Sequence, residues 1–140
     1  MQKLHLDGSH ISLLRYVELA NGPVAITLAP VIRERLVRAR EIVARYVAGD
    51  QPVYGLNTGL GGNLKHRIEA GDIPAFQAQL LLARSAGVGP NLPEWISRAA
   101  WLSRIIGAAH GASGLSLTAF DLMLAMAERG LSPAVPTYGS

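Results

Sequence analysis

Apolar residues recur along most of this chain at three- and four-residue steps, the spacing that places them on one side of an α-helix. The start differs: Leu4-His5-Leu6 alternates and then meets Asp7-Gly8, which predicts a short strand entering a turn. Ser12 is placed to cap a helix carrying Leu13, Leu14, Val17 and Leu19 and ending near Gly22. Val24-Ala25-Ile26 reads as a second short extended piece. From about Ala29 to Ala48, Ile32, Leu36, Val43 and Val47 keep helical spacing, with Ile42 and Tyr46 beside them and Gly49 as the stop. Periodicity then fails between Gly55 and Gly62, where four glycines in eight residues disfavour any regular element. It resumes around Pro74 and runs to about Ser85, closing on the turn Gly87-Val88-Gly89-Pro90. Pro93 opens a helix through Trp95, Ile96, Leu102 and Ile105 that closes near Gly111. Ser116 caps a last helix, Leu117 to Arg129, stopped by Gly130, and the tail from Ser132 to Ser140 reads as irregular. The expected architecture is mainly α, with one or two short β-strands near the start.

Composition narrows the functions open to such a chain. Hydrophobic residues make up 49% and charged residues 16%, which predicts a folded core and further apolar surface buried against more protein. The formal charge is only +3, and the basic run from Arg33 to Arg45 is interleaved with apolar residues and glutamates as a solvated helix face would be; nucleic-acid binding is not expected. Cysteine is absent, which excludes disulfides and thiolate metal sites and fits a reducing cytoplasm. His5, His10, His66 and His110 lack metal-ligand spacing, and no apolar run reaches the length of a membrane span, so neither a metal nor a membrane is expected.

Three segments carry a family likeness. The first, Pro52-Val53-Tyr54-Gly55-Leu56-Asn57-Thr58-Gly59-Leu60-Gly61, resembles the tyrosine loop of the aromatic amino acid ammonia-lyases, written Tyr-Gly-Val-Asn-Thr-Gly-Phe-Gly. The second, from Gln77 through Leu80-Leu81 to Ala86-Gly87-Val88-Gly89, is similar to the helix and turn Leu-Gln-x-Asn-Leu-Leu-x-Ser-His-Ala-Ala-Gly-Val-Gly of the histidine ammonia-lyases in that family. The third, Arg104 to Gly114 followed by a helix and Pro133 to Ser140, is similar to the stretch that leads to Gly-Ser-Val-Gly-Ala-Ser-Gly. Together with Leu6-Asp7-Gly8 the likeness spans nearly the whole chain in order. It implies the N-terminal portion of a long helical-bundle lyase, with residues 1–90 an N-terminal region bearing a mobile loop at about 52–66, and 91–140 the start of the helical core.

The resemblance implies a chemistry. Eliminating ammonia from an α-amino acid needs a base for a weakly acidic β-hydrogen and an electrophile that turns the amine into a leaving group. In this family the electrophile is a 4-methylidene-imidazole-5-one (MIO), which an Ala-Ser-Gly tripeptide forms autocatalytically. By family spacing that tripeptide begins just after Ser140, and the 140 residues alone are expected to be inactive. Ala112-Ser113-Gly114 has the same letters but aligns with a turn between two helices and is not expected to be the precursor. Tyr54 is the expected base. A tyrosine abstracts such a hydrogen only as phenolate, and bringing a free phenol's ionisation near 10 down by about three units takes roughly 4 kcal/mol. Asn57, Thr58 and Gly59 are expected to support the loop through side-chain and backbone bonds, and Gly61 to permit close approach of substrate. A small-molecule amino acid, the rest of the polypeptide and a homotetramer with shared active sites are the partners the resemblance implies.

The sequence departs from the family where histidine ammonia-lyases read substrate. Arg84 replaces the family histidine, and Ala83 the preceding serine. A guanidinium in the pocket would favour a side chain with acceptor or anionic character; turned outward, it would snorkel or pair with a carboxylate elsewhere. Both readings stay open on sequence. The same scaffold also supports 2,3-aminomutase chemistry, and a non-catalytic relative is the third alternative.

Overall fold

The structure, a computed structural model, describes residues 1–139; the last residue of the Pro-rich tail, Ser140, lies outside the described residues. Strand β1 (Gln2–Leu6) pairs in parallel with β2 (Val24–Leu28), Leu4 opposite Ile26 and Leu6 opposite Leu28. Parallel neighbours need a crossover, and α1 (Leu13–Ala20) supplies it. Ser12 caps α1 by accepting the Arg15 N–H at 3.3 Å. In the turn after β1, Asp7 is held below the ordinary carboxylate range, first by the side-chain hydrogen bond from Ser9 and then by the Ser9 N–H at 2.8 Å.

Four further helices follow: α2 (Pro30–Ala48), α3 (Ile73–Arg84), α4 (Glu94–Ala109) and α5 (Leu117–Glu128). Pro30 opens α2 and Gly49 closes it. Pro93 stands at the N-cap position of α4 without a side-chain bond, and Ser116 caps α5 by accepting the Ala119 N–H at 3.2 Å. The core lies where α1, α2, α4 and α5 meet the β1–β2 pair. Its centre is Phe120, Ile105 and Leu19, all fully buried, with Ile32 and Leu36 of α2 beside them and Leu4, Leu6 and Val24 from the strands. The apolar stripe of α2 divides. Ile32, Leu36 and Ala39 are buried in this core, whereas Val43 and Val47 on the same face are half-buried beneath the loop that follows.

Two elements depart from the sequence expectation. Val88–Asn91 and Pro136–Tyr138, read as a turn and an irregular tail, form strands β3 and β4 of an antiparallel pair. Glycine and proline are poor strand formers, so no local signal announces this pair. Long-range bonds make it: Leu92 N–H donates to Val135 O at 2.8 Å and the Thr137 hydroxyl to Pro90 O. The close approach also needs glycine. Gly139 has φ +96, and a Cβ there would stand 2.9 Å from Gly87 Cα.

Apolar side chains remain uncovered. Leu13 and Leu14 of α1 are 77% and 73% exposed, and Leu81 and Leu82 of α3 are 73% and 77% exposed, while α3 buries only Ile73. Among the described residues no helix is long and apolar enough to cross a membrane.

Because Phe120 is fully enclosed, Phe120→Ala is expected to lower stability by about 3–5 kcal/mol in denaturant unfolding; a loss below about 1 kcal/mol would mean that the core is centred elsewhere.

Candidate functional site around the tyrosine loop

The glycine-rich segment leaves the end of α2 and doubles back on itself. Thr58 bridges Arg67 in an antiparallel contact, Gly59 N–H donates to His66 O at 2.9 Å, and Ile68 N–H donates to Asn57 O at 2.9 Å. Between these limbs lies a single 3-10 turn, Gly61–Asn63, in which Gly61 is exposed with φ +55. Arg67 ties the returning limb to α2 by donating to the Gly49 carbonyl at 2.7 Å and to the Asp50 carbonyl, and it pairs with the Asp50 carboxylate at 3.2 Å.

Asn57 anchors the outgoing limb. It is only 1% exposed, yet its amide is well paired: Nδ2 donates to the carbonyls of Tyr46 at 3.1 Å and Gln51 at 2.9 Å, and Oδ1 accepts the Val53 N–H at 2.7 Å. A buried amide satisfied in this way rigidifies what it joins, here the end of α2 and the segment that carries Tyr54. Thr58 is also buried, its single hydroxyl proton within reach of two carbonyls, Gly59 O at 3.2 Å and Val53 O at 3.4 Å, and Gly59 is buried beside Asn63.

Tyr54 stands at the head of this clamped limb and is 63% exposed. Tyr54 borders an open groove of about 550 Å³ that runs between α2, α3 and the α4–α5 turn. Val43 and Val47 of α2, Gln77 of α3 and Ser113-Gly114 of the turn line it with Tyr54. Gln77 Nε2 donates to the Gly55 carbonyl at 2.8 Å, and Gly55 has φ +70, which a residue with a side chain rarely adopts.

Two of the residues picked from sequence, Ala83 and Arg84, lie apart from this groove. Ala83 and Arg84 are exposed at the C-terminal end of α3. Arg84 follows Gln77 by seven residues and so shares its helix face about 10 Å further along. Gly61 also lies outside the groove lining. Ala112-Ser113-Gly114 forms the turn between α4 and α5: the Ser113 hydroxyl accepts the Leu115 N–H at 3.4 Å, and Arg40 donates to the Gly114 carbonyl at 3.4 Å. Sequence reasoning missed Arg40 and Gln77 as residues that line the groove with Tyr54. The seven-residue step between Gln77 and Arg84 was the available signal for Gln77; Arg40 had none.

Solved structures share this architecture. Ergothionase from Treponema denticola, in complex with desmethyl-ergothioneine sulfonic acid, superposes with a TM-score of 0.91 at 28% identity over 99% of this chain and 28% of that one. Pantoea agglomerans phenylalanine aminomutase superposes with a TM-score of 0.87 at 27% identity over 100% of this chain and 27% of that one. The class defined by this fold and its tyrosine loop is therefore the helical lyase fold. The family model described as aromatic amino acid lyase matches residues 11–140, and the chain belongs to that family. Among curated relatives, histidine ammonia-lyase of Anaeromyxobacter sp. (strain K) is 40% identical over 140 residues. The alignment covers 100% of this chain and 28% of that relative, so the chain spans little more than a quarter of the relative's length.

Replacing Asn57 by Asp keeps one acceptor, removes both donors and sets a buried anion against two carbonyl oxygens. Asn57→Asp is expected to cost roughly 1–3 kcal/mol locally and to speed limited proteolysis between residues 59 and 66. Cleavage at the parent rate would show that the clamp does not hold the loop.

Proposed function

We propose that this chain supplies the base-bearing portion of an ammonia-lyase that eliminates ammonia from an aromatic or histidine-like L-amino acid to give the α,β-unsaturated acid. The observation that carries the reading is an exposed phenol, Tyr54, held by a clamped backbone at the edge of an open groove. Membership of the family and 40% identity to a histidine ammonia-lyase supply the reaction class.

In this reading Tyr54 removes the β-hydrogen, and the loop supports it. Asn57, Thr58 and Gly59 hold the limb, while Gly61 at the exposed tip leaves room for close approach of substrate. Val43 and Val47 present an apolar wall suited to the flat side of an aromatic or imidazole ring. The MIO, when present, makes the substrate amine a leaving group. The residues of this chain fit a precursor that follows β4. The close approach of Gly139 to Gly87 sets the described end of the tail against the turn that follows the α3 terminus bearing Ala83 and Arg84. Ala112-Ser113-Gly114 fits less well, because its hydroxyl accepts the Leu115 N–H within the helix turn and its last carbonyl accepts from Arg40 of α2.

Arg84, free of any hydrogen bond or ion pair among the described residues, is assigned to substrate side-chain selection together with Ala83. The uncovered leucines of α1 and α3 support burial against further chain and a homotetrameric assembly. A second reading, a 2,3-aminomutase, draws on the phenylalanine aminomutase likeness. Product analysis separates the two: an unsaturated acid with free ammonia marks the lyase, a β-amino acid the mutase.

In the complete polypeptide, Tyr54→Phe is expected to lower kcat at least roughly a hundredfold, the low end for a lost general base, measured as formation of the unsaturated acid. Near-parent turnover would reject the role. Across a panel of L-histidine, L-phenylalanine and L-tyrosine, Arg84→His is expected to raise kcat/KM for histidine relative to the other two; an unchanged profile would place Arg84 outside the substrate pocket.

A further inference from the structure

One side chain joins α3 to the backbone of Gly55, the residue after Tyr54, and has no part in the chemistry above. The phenol makes no hydrogen bond of its own among the described residues, so its position follows from the backbone that carries it. That backbone is gripped on both sides by amide side chains from different elements. Ahead of Tyr54, Asn57 Oδ1 accepts the Val53 N–H at 2.7 Å; behind it, Gln77 Nε2 donates to the Gly55 carbonyl at 2.8 Å. The two grips differ in kind. Asn57 fastens the loop to the end of α2, within a local knot of residues 46–58, whereas Gln77 reaches across from α3, 22 residues later in the chain. Gly55, with φ +70, contributes no side-chain packing that could hold the peptide by itself.

The leverage is large. A phenol oxygen lies about 6 Å from its Cα, so a backbone rotation of about 30° carries it roughly 3 Å, well past the reach of a proton transfer. We propose that Gln77 is a positioning residue for Tyr54: its amide N–H fixes the Tyr54–Gly55 segment against α3 and thereby sets where the phenol oxygen stands in the groove. This rests on Tyr54 being the base. Gln77 then acts through Tyr54, and its loss should slow the chemical step without weakening substrate binding. The same face of α3 carries Arg84 two turns on, so one helix sets both the base and the substrate-reading side chain.

The test uses the complete polypeptide and whichever of L-histidine, L-phenylalanine or L-tyrosine it turns over fastest, with Gln77→Glu, Gln77→Leu and Tyr54→Phe compared. Gln77→Glu keeps the shape of the side chain but loses the donor, so it carries the test even where Gln77→Leu does not fold. Both Gln77 variants are expected to lower kcat roughly tenfold or more with KM within about twofold, and to speed amide exchange at residues 54–58. If Tyr54→Phe is severe while Gln77→Glu keeps kcat within twofold, the positioning role is overturned and the base assignment stands. A rise in KM with kcat unchanged also overturns it, because Gln77 would then bind substrate. If Tyr54→Phe itself is near normal, the underlying reading falls and the positioning proposal with it.

Discussion

A single buried amide governs the geometry of the candidate site. Asn57 is almost wholly removed from water, so each of its polar atoms must find a partner inside the protein or impose a cost of about 1–3 kcal/mol. The partners lie on three separate stretches: Tyr46 in the last turn of α2, Gln51 just beyond it, and Val53 next to Tyr54. Satisfying all three at once leaves the chain little choice of path out of α2. The glycines then do opposite jobs on either side. Gly55 completes the turn that presents the phenol, while Gly61 and Gly62 form an exposed tip beyond the clamped limb. Tyr54 thus rides on the constrained limb of the loop, and the glycine-rich tip lies beyond it.

The second organising feature is the division of labour along α2. One apolar stripe runs its length, but only the first half is enclosed. Ile32 and Leu36 meet Phe120, Leu19 and the strands, where burial of each side chain contributes on the order of 1.5–3 kcal/mol. Val43 and Val47 continue the stripe into the groove beneath Tyr54. A helix anchored in the core thereby supplies an apolar wall to the site, and its last turn also holds Asn57 through the Tyr46 carbonyl. The Arg33–Asp121 pair at 2.8 Å joins α2 to α5, but both partners are half-exposed, so it contributes little beside the core contacts.

Much of the candidate site was legible because the tyrosine loop is a local pattern. A tyrosine followed by Gly-Leu-Asn-Thr-Gly marks its own turn, and the buried partners of Asn57 lie within eleven residues of it. What escaped the sequence reading is nonlocal. Gln77 and Arg40 are ordinary helix residues whose approach to the loop or the α4–α5 turn depends on how α2 and α3 are set. The β3–β4 pair was missed for the same reason: Val88-Gly89-Pro90-Asn91 has no strand propensity, and it is a strand only because residues 135–138 lie alongside.

By itself the sequence determined the five helices, the β1–β2 pieces, the serine caps and the tyrosine loop, because each depends on periodicity, capping chemistry or turn residues close in the chain. Only the tertiary structure decided that the α2 stripe would split between core and groove, that Ser113-Gly114 would border the groove as a helix turn, and that Gln77 would hold Gly55. Those outcomes are contacts between segments distant in the chain. No residue's own propensity encodes them, and they arise when one packing of the helices satisfies the buried core and the buried Asn57 amide together.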